Sequence, residues 1–129
     1  MHTASLMSLM LSSTDPERLH RWYTSVLPPT TDHQQDQYRI LGYGDFYLFL
    51  DSRDDVGDKS AEPGRVVLNF DVDDVHGFVA SADEQGTEWL APLEDRHGSF
   101  FATAIDPDGN YVQVIQLSEE HKVQMAAQA

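Results

Sequence analysis

Alternating apolar and polar residues near the C-terminus predict the last β-strand of the chain. Residues 111–117 read Tyr-Val-Gln-Val-Ile-Gln-Leu and follow a run of Asp-Pro-Asp-Gly-Asn at 106–110. Proline fixes φ, whereas glycine and asparagine tolerate positive φ, so this run is typical of a tight turn between strands. The pattern therefore predicts a hairpin that enters a strand with Gln113 at its centre.

A different period predicts a helix in the first part of the chain. Apolar residues recur at i, i+3, i+4 and i+7 between positions 19 and 26, which gives one apolar stripe on a helix. Thr-Asp-Pro-Glu at 14–17 supplies an N-cap, a first-turn proline and an acidic residue near the positive helix end. We expect a helix that begins there and ends before the prolines at 28–29.

The same order of elements occurs twice. In the first half, an apolar run at 6–11 precedes the helix, and apolar segments at 38–41 and 46–50 flank a Gly-Tyr-Gly-Asp turn. The second half repeats this order, with a strand at 65–72, an acidic helix cap at 73–74, a helix to about 85, and short strands at 88–90, 99–104 and 111–117. Each half therefore reads β-α-β-β-β, which predicts an α+β fold.

Neither half has enough helix to cover a sheet by itself. We therefore expect the two modules to pack side by side into one curved mixed sheet with the helices on its outer face. The whole chain is predicted to be a single domain over 1–129, with module one at about 5–51, a linker at 52–63, module two at 64–117 and a frayed tail at 118–129.

Composition and charge exclude several classes of function. The chain has 40% hydrophobic residues but no run of about 20 apolar residues, and it has no recognisable signal peptide. We therefore expect it to be soluble and cytoplasmic, with no membrane partner. The absence of cysteine excludes disulfides, thiolate zinc sites and cysteine nucleophiles. A net charge of -14 with only 8 Lys and Arg argues against nucleic acid and favours cationic partners, although acidity also simply gives solubility.

The paired modules, the Val-Asp-Asp-Val run at 72–75 and the turn at 106–110 resemble the vicinal oxygen chelate superfamily. That superfamily includes glyoxalase I, extradiol dioxygenases, fosfomycin-resistance enzymes and bleomycin-resistance proteins. The resemblance covers residues 6–117, and it implies a homodimer. In the enzymes of the superfamily it also implies a divalent metal, held by His, Gln or Glu from the first and last strands of each module.

The positions of those metal ligands can be counted from the helix caps and the turns. They fall on Ser8 and Val67 in the first strands and on Leu48 and Gln113 in the last strands. Valine and leucine offer no oxygen or nitrogen donor to a metal ion, and their sequence neighbours are no better. The sequence therefore predicts that no metal and no other cofactor is bound.

Strand alternation indicates which side chains line the groove of such a fold. Leu68, Phe70 and Val72 form one apolar face of their strand, so the intervening polar residues face the groove. The same alternation predicts Leu50 and Ile115 in this lining, although such apolar residues could equally fill a core. The predicted ligand-binding set is Ser8, Met10, Phe46, Leu48, Asn69, Asp71, Trp89, His97, Tyr111 and Gln113.

Two members of this set rest on separate arguments. His97 stands beside an arginine and a glycine before a strand, which suggests the mouth of a pocket, and none of the 6 histidines has metal-ligand spacing. Trp89 lies in a short segment of module two, where an edge strand would present the indole to the groove or to a partner subunit.

These features favour a metal-independent protein that binds a small aromatic or cationic molecule, as in sequestration of an antibiotic or metabolite. Asp71 would attract the cation, and Phe46, Trp89 and Tyr111 would hold the apolar part. One alternative is a metal-free isomerase or lyase that uses hydrogen-bond donors such as Gln113 and Ser8. Others are a metal-dependent glyoxalase or dioxygenase, if the ligand positions are counted wrongly, and a protein that acts through its dimer surface or acidic linker.

Overall fold

The structure is a computed structural model that describes residues 2–128, and it divides after Asp58 into two compact units. Unit 1 ends at Asp58, and unit 2 begins at Lys59. Each unit contains one four-stranded mixed sheet and a helix that follows its first strand. Both units read β-α-β-β-β, so the predicted α+β fold of two such modules is confirmed.

Unit 1 has the strand order β1-β4-β3-β2, in which β1 runs parallel to β4 and the other neighbours are antiparallel. The β3–β4 hairpin lies where the sequence predicted it. The elements of unit 1 are β1 (Ser8–Ser13), α1 (Pro16–Val26), β2 (Thr31–Gln35), β3 (Tyr38–Tyr43) and β4 (Phe46–Ser52).

Unit 2 has the equivalent order β5-β8-β7-β6, again with a parallel pair between its first and last strands. A short 3-10 turn, Pro63–Arg65, precedes the first strand. The elements of unit 2 are β5 (Val67–Asp71), α2 (Val75–Glu84), β6 (Glu88–Arg96), β7 (Ser99–Ile105), β8 (Tyr111–Gln116) and α3 (Glu119–Gln128).

The two predicted aspartate caps begin the first helix of each unit. The side chain of Asp15 accepts a hydrogen bond from the Arg18 amide, and the side chain of Asp74 accepts one from the Gly77 amide at 3.0 Å. These bonds satisfy amides that have no partner inside the helix, and a negative charge is favourable at this end of the helix dipole.

The helices bury their apolar stripes against the sheets. In α1 the buried side chains are Leu19, Trp22, Tyr23 and Val26, as the periodicity predicted, and the Trp22 and Tyr23 rings meet edge to face with centroids 4.8 Å apart. The buried side chains of α2 are Val75, Phe78 and Ala82. Burial of this apolar surface against the sheet stabilises each unit.

Three elements differ from the sequence expectation. The short strand expected at 88–90 extends to Arg96 as β6, with irregular pairing to β7 between Trp89 and Glu94. β2 was not predicted at its position, because Thr-Asp-His-Gln-Gln has no apolar alternation and all five of its side chains are exposed. The tail, expected to fray, forms α3 instead. The imidazole Nδ1 of His121 in α3 is hydrogen-bonded to the hydroxyl of Ser99, which also accepts a bond from the Ser118 amide at 2.8 Å.

No helix within residues 2–128 is both long enough and apolar enough to cross a membrane.

Candidate functional site

Hydrogen bonds to α1 identify the side of the unit 1 sheet that faces the helix, which we call the helix face. Arg39 of β3 donates to both carboxylate oxygens of Glu17 at 2.9 Å, and the Tyr43 hydroxyl donates to the Leu27 carbonyl at 2.8 Å. Arg39 pairs across the ladder with Leu50, so Leu50 lies on the same face. Side chains alternate along a strand, and the intervening residues therefore form the opposite side, the open face.

The open face of unit 1 is rich in aromatic and apolar groups. The rings of Tyr38 and Phe49 meet edge to face with centroids 6.1 Å apart. Phe49 pairs with Met10 of β1, and Met10 is 48% exposed. The described side chains on this face of β1, β3 and β4 are Ser8, Met10, Ser12, Tyr38, Ile40, Tyr47, Phe49 and Asp51.

Asp51 is the exception on this apolar face. It is buried, with only 7% of its surface exposed, and its carboxylate atom Oδ1 has no hydrogen-bond partner within residues 2–128. The neighbouring cation, Arg53, is engaged with a different carboxylate, because its Nε lies 2.7 Å from Oδ1 of Asp55. A buried carboxylate without a partner is unusual, since removal of a charge from water is costly.

The same reasoning assigns the faces of unit 2. The Gln116 side chain accepts a hydrogen bond from the Val75 amide of α2 at 2.7 Å, and the Phe100 ring lies 5.4 Å from the imidazole of His76. Gln116 and Phe100 pair with each other, so both mark the helix face. Gln113, three residues before Gln116 on β8, therefore lies on the open face.

The open face of unit 2 is more polar than that of unit 1. Asn69 pairs with Gln113 across the parallel ladder, so their side-chain amides are neighbours. Asp71 pairs with Ile115 on the same face and is exposed to solvent. The open-face side chains of β5, β7 and β8 are Val67, Asn69, Asp71, Ser99, Phe101, Thr103, Ile105, Tyr111, Gln113 and Ile115.

A cation lies over one ring of this face. The guanidinium carbon of Arg96 is 4.8 Å from the centroid of Phe101, and an Arg96 nitrogen lies 3.0 Å from Glu94. The hydrogen bond from Arg96, reinforced by its charge, lowers the pKa of Glu94. This edge of the open face therefore presents a charge pair over an aromatic ring.

Six members of the predicted ligand-binding set lie on open faces. Ser8 and Met10 are on the open face of unit 1, and Asn69, Asp71, Tyr111 and Gln113 are on the open face of unit 2. All six remain partly or fully accessible to solvent. Ile115, which was assigned to the lining, also lies on the open face.

The assignment of Phe46, Leu48 and Leu50 to the groove was wrong. Leu48 is 1% exposed and pairs with Leu41, and Leu50 is fully buried opposite Arg39. Phe46 pairs with Tyr43, whose hydroxyl bonds to the end of α1, so all three lie on the helix face. Burial, with a smaller contribution from Asp32, raises the pKa of Tyr43, which agrees with a phenol packed under the helix.

The physical reason for this error is that the two turns differ in length. Tyr43 pairs directly with Phe46, which leaves two residues in the β3–β4 turn, whereas Ile105 pairs with Tyr111 and leaves five residues between β7 and β8. Alignment of the two glycines therefore shifted β4 by one residue. A shift of one residue moves every side chain of a strand to the other face.

Trp89 was expected to face the groove or a partner subunit, and the structure places it against α2. Its ring meets Phe78 of α2 edge to face with centroids 5.7 Å apart, and its indole N–H donates to Asp83 of the same helix at 3.0 Å. Trp89 pairs with Ala104, which is fully buried. The indole therefore anchors α2 to the sheet and does not face the open side.

His97 lies outside the sheet faces, in the tight turn between β6 and β7. It is exposed and has a φ of 54°, and with Asp95, Arg96 and Gly98 it lines a shallow depression in the surface. A side chain of Asp95 accepts a hydrogen bond from the Gly98 amide at 2.8 Å, which fixes the turn. His97 is thus at a turn tip, beside the strand that carries Arg96.

Comparison with known proteins identifies the family. A family model described as a glyoxalase-like domain matches residues 8–115. The chain belongs to this family. Its place in the glyoxalase, bleomycin resistance and dioxygenase group, the vicinal oxygen chelate superfamily, confirms the resemblance seen in the sequence. No curated protein matches the sequence of this glyoxalase-like chain.

Solved structures share the fold at low sequence identity. The fosfomycin resistance protein FosX from Mesorhizobium loti superposes with a TM-score of 0.71 at 17% identity, over 95% of this chain and 98% of that one. A glyoxalase/bleomycin resistance protein/dioxygenase family enzyme from Burkholderia phytofirmans PsJN gives 0.72 at 16% identity, over 89% and 100%. TioX from Micromonospora sp. ML1 gives 0.63 at 20% identity, over 88% and 98%.

The residues at the superfamily's metal positions do not fit a divalent ion. Ser8 pairs with Tyr47 as Val67 pairs with Tyr111, so the residue of unit 1 equivalent to Gln113 is Phe49 and not Leu48. Phenylalanine is no better a ligand than leucine, and valine offers none. Within residues 2–128 no three His, Asp or Glu side chains are grouped as metal ligands.

The sequence analysis missed the residues that distinguish the open face of unit 1. Tyr47, Phe49 and Asp51 occupy alternate positions of β4 and were not in the predicted ligand-binding set. The segment Tyr-Leu-Phe-Leu is apolar throughout, so hydropathy alone does not separate its faces. Two features of the sequence could have identified the open face. Aromatic and leucine side chains alternate in that segment, and the polar Ser8 and Ser12 alternate with apolar residues in the adjacent β1.

Proposed function

We propose that this glyoxalase-like chain is a metal-independent protein that binds a small organic molecule on the open faces of its two sheets. One observation carries the proposal. At the positions that hold metal in the superfamily's enzymes, this chain has Ser8, Phe49, Val67 and Gln113. The sheet faces around these positions offer aromatic rings, aliphatic groups and a few hydrogen-bonding groups.

The chemistry of these faces supports an organic ligand. Aromatic and aliphatic side chains provide most of the contact surface in small-molecule sites, and a few polar groups fix the orientation. In unit 2 the amides of Asn69 and Gln113 supply donors and acceptors beside Tyr111. These amides are accessible to solvent, so a ligand can bond to them without breaking an interaction within the protein.

The similar structures are compatible with a role in resistance or sequestration. Two of them have resistance in their names, as a fosfomycin resistance protein and as a glyoxalase/bleomycin resistance protein/dioxygenase family enzyme. For this chain we propose sequestration of an antibiotic or metabolite in the cytoplasm. A net charge of -14 favours a ligand that carries positive charge.

We also propose that the protein works as a homodimer. In each sheet the first and second strands of the unit occupy the edges, and an unpaired strand edge is a surface on which a second chain can pack. Leu6, Met7 and Val66, next to the first strands, are exposed apolar residues. Light scattering on the purified chain should give twice the chain mass of 14.5 kDa, and a monomer at micromolar concentration would contradict the dimer.

Binding can be tested by NMR with uniformly 15N-labelled protein and a panel of cationic, neutral and anionic aromatic compounds. We expect at least one compound to give saturable shifts at the side-chain amides of Asn69 and Gln113, while the indole N–H of Trp89 stays in place. Gln113→Leu should weaken that compound by about tenfold, the usual effect of one lost hydrogen bond in a binding site. Trp89→Phe is the matched control and should bind normally.

Two outcomes would contradict the proposal. The first is the absence of any saturable shift across the panel. The second is a set of shifts that is confined to the helix faces, such as the surroundings of Trp89 and Phe78.

A further inference from the structure

The carboxylate of Asp51 makes no ion pair within the described part of unit 1. Asp51 is 7% exposed, and its Oδ1 atom is buried without a hydrogen bond among residues 2–128. Buried carboxylates in folded proteins are normally paired with a cation or hydrogen-bonded, because an isolated buried charge is strongly unfavourable. Oδ1 of Asp51 is therefore an acceptor that a donor from outside the described residues can satisfy.

The nearest cation does not fill this role. The Arg53 guanidinium makes a two-pronged contact with Asp55, with Nε at 2.7 Å from one carboxylate oxygen and a terminal nitrogen at 2.5 Å from the other. The hydrogen bond to Asp55 is the main cause that raises the pKa of Arg53, and the charge of Asp51 contributes less. Both of these contacts go to Asp55, and no hydrogen bond joins the guanidinium of Arg53 to Asp51.

Aromatic rings stand beside Asp51 on the open face. Phe49 precedes it by two residues on the same side of β4, and the Tyr38 ring meets Phe49 at 6.1 Å. Ser12 pairs with Asp51 from the parallel strand β1 and adds a hydroxyl. A carboxylate next to the faces and edges of aromatic rings is the arrangement that recognises an organic ammonium group, through ion pairing and cation–π attraction.

We infer that Asp51, Phe49 and Tyr38 form a subsite for the ammonium group of an organic amine that has an aromatic or aliphatic body. This inference rests on the proposed function, because it names the ligand class of the open face. One carboxylate and one hydroxyl are too few donors for a bare divalent ion, which needs about six oxygen ligands. The ammonium supplies the buried counter-charge, and the body of the amine extends over Met10 and Tyr47.

The subsite is tested by calorimetric titration of the full chain with tryptamine, an aromatic amine that is protonated at pH 7.5. N-acetyltryptamine is the neutral match, since it keeps the indole and loses the charge. Wild-type protein should bind tryptamine at least tenfold more tightly than N-acetyltryptamine. The Asp51→Asn variant keeps the shape of the side chain and should bind tryptamine at least tenfold more weakly than wild type does.

Asp54→Asn is the matched control. Asp54 is an exposed carboxylate that follows Asp51 by three residues, and it too acts on Arg53 through its charge. Its loss changes the net charge by the same amount and should leave tryptamine affinity within twofold of wild type. Equal weakening by both variants would show that only the general acidity of the chain attracts the amine, and this would overturn the subsite.

Thermal unfolding without ligand gives a second, independent measure. Removal of an unpaired buried charge relieves its cost, so Asp51→Asn should unfold at a temperature equal to or above that of wild type. A marked fall would show that the carboxylate already has a structural partner, and the subsite would then be wrong.

The remaining outcomes separate the subsite from the proposed function. Unchanged tryptamine binding by Asp51→Asn, equal affinity for the neutral match, or no saturable tryptamine binding by wild type would each overturn the subsite. The proposed function would still stand in each case if the NMR panel found a ligand at Asn69 and Gln113. If no compound in the NMR panel gave saturable shifts, the proposed function itself would be contradicted.

Discussion

The two units have the same topology but present different chemistry on their open faces. In unit 1 the positions of the last strand that face the open side hold Tyr47, Phe49 and Asp51, whereas the equivalent positions in unit 2 hold Tyr111, Gln113 and Ile115. The aromatic residue is retained at the first position. At the next two positions, unit 1 has the ring of Phe49 and the buried carboxylate of Asp51, whereas unit 2 has the amide of Gln113 and the aliphatic side chain of Ile115.

This difference shows that the backbone register, and not the residue type, is what the two units share. In both, the first strand is parallel to the last, and the pairs Ser8–Tyr47 and Val67–Tyr111 occupy the same place. The helix faces of the two last strands are alike, with Leu48 and Leu50 in one unit and Val112 and Val114 in the other. Packing against a helix constrains those positions, while the open positions are free to carry specificity.

The largest expected effect concerns which face of β4 forms the core. Leu48→Ala removes a fully buried side chain and should lower the free energy of unfolding by about 2–5 kcal/mol. Phe49→Ala, one residue later, removes a half-buried open-face ring and should cost only about 1–2 kcal/mol, because less apolar area is lost from the interior. Urea denaturation monitored by circular dichroism measures both variants. A cost for Phe49→Ala that equals or exceeds that of Leu48→Ala would reverse the assignment of the faces.

The second prediction compares the two turns. Asp106 is buried, and its Oδ1 accepts hydrogen bonds from the amides of Asp108 and Asn110 at 2.9 Å, while its Oδ2 accepts one from the Asn110 side chain. Asp106→Ala leaves these donors unpaired and should lower the free energy of unfolding by about 2–3 kcal/mol. The control is Asp45→Ala, in the exposed two-residue turn of unit 1, which should change it by less than about 0.5 kcal/mol. Similar losses for the two variants would contradict this account of the turns.

A smaller effect is expected at Trp89. Trp89→Phe keeps the edge-to-face contact with Phe78 and removes the hydrogen bond to Asp83, so the free energy of unfolding should fall by about 0.5–1 kcal/mol. Ligand affinity should not change, because the indole lies on the helix face. If the same NMR titration showed tighter or weaker binding by this variant, Trp89 would have to contact the ligand, and its assignment to the helix face would be wrong.

The smallest effect concerns two of the exposed ion pairs, one chosen from each unit. Arg96 lowers the pKa of Glu94, and Arg53 lowers the pKa of Asp55, in each case mainly through a side-chain hydrogen bond. A carboxyl group whose pKa is lower in the folded state stabilises the protein above its unfolded pKa, at about 4, and this contribution is lost as pH falls through the folded value. Both groups are exposed, so solvent screens the interaction.

We therefore expect Glu94→Gln and Asp55→Asn to unfold slightly below the wild-type temperature at pH 7. The difference should shrink as the pH falls below about 4 and when salt is added. Thermal scans between pH 3 and 7 measure it, with Glu120→Gln as a control, because that residue is exposed and makes no ion pair in the structure of residues 2–128. A difference that grows at low pH would have the wrong sign for these pKa shifts.

The sequence predicted the fold more completely than the site. The aspartate caps, the apolar stripe of α1 and the β3–β4 hairpin are local features, set by residues close together in the chain, and all are present. The open face of unit 2 could be predicted for a similar reason, since Leu68 and Phe70 alternate with Asn69 and Asp71 in β5.

The open face of unit 1 could not be predicted because its signal is not local. Residues 46–50 of β4 are apolar on both sides, so their faces are distinguished by pairing with Arg39, which bonds to α1, and Tyr43, which bonds to Leu27 at its end. The length of the β3–β4 turn sets the register of β4, and the position of the turn glycine alone did not predict that register. Trp89 was misplaced for a similar reason, since its partner Phe78 belongs to a different element.

Native mass spectrometry on protein incubated with Mn²⁺, Ni²⁺ or Zn²⁺ and then exchanged into volatile buffer tests the central claim most directly. Because Ser8, Phe49 and Val67 stand at the superfamily's ligand positions, we predict that no ion remains bound at one per chain, and that Gln113→Ala gives the same spectrum as wild type. A stoichiometric ion that is retained by wild type and lost from Gln113→Ala would contradict metal independence and would revive metal-assisted catalysis on the open face.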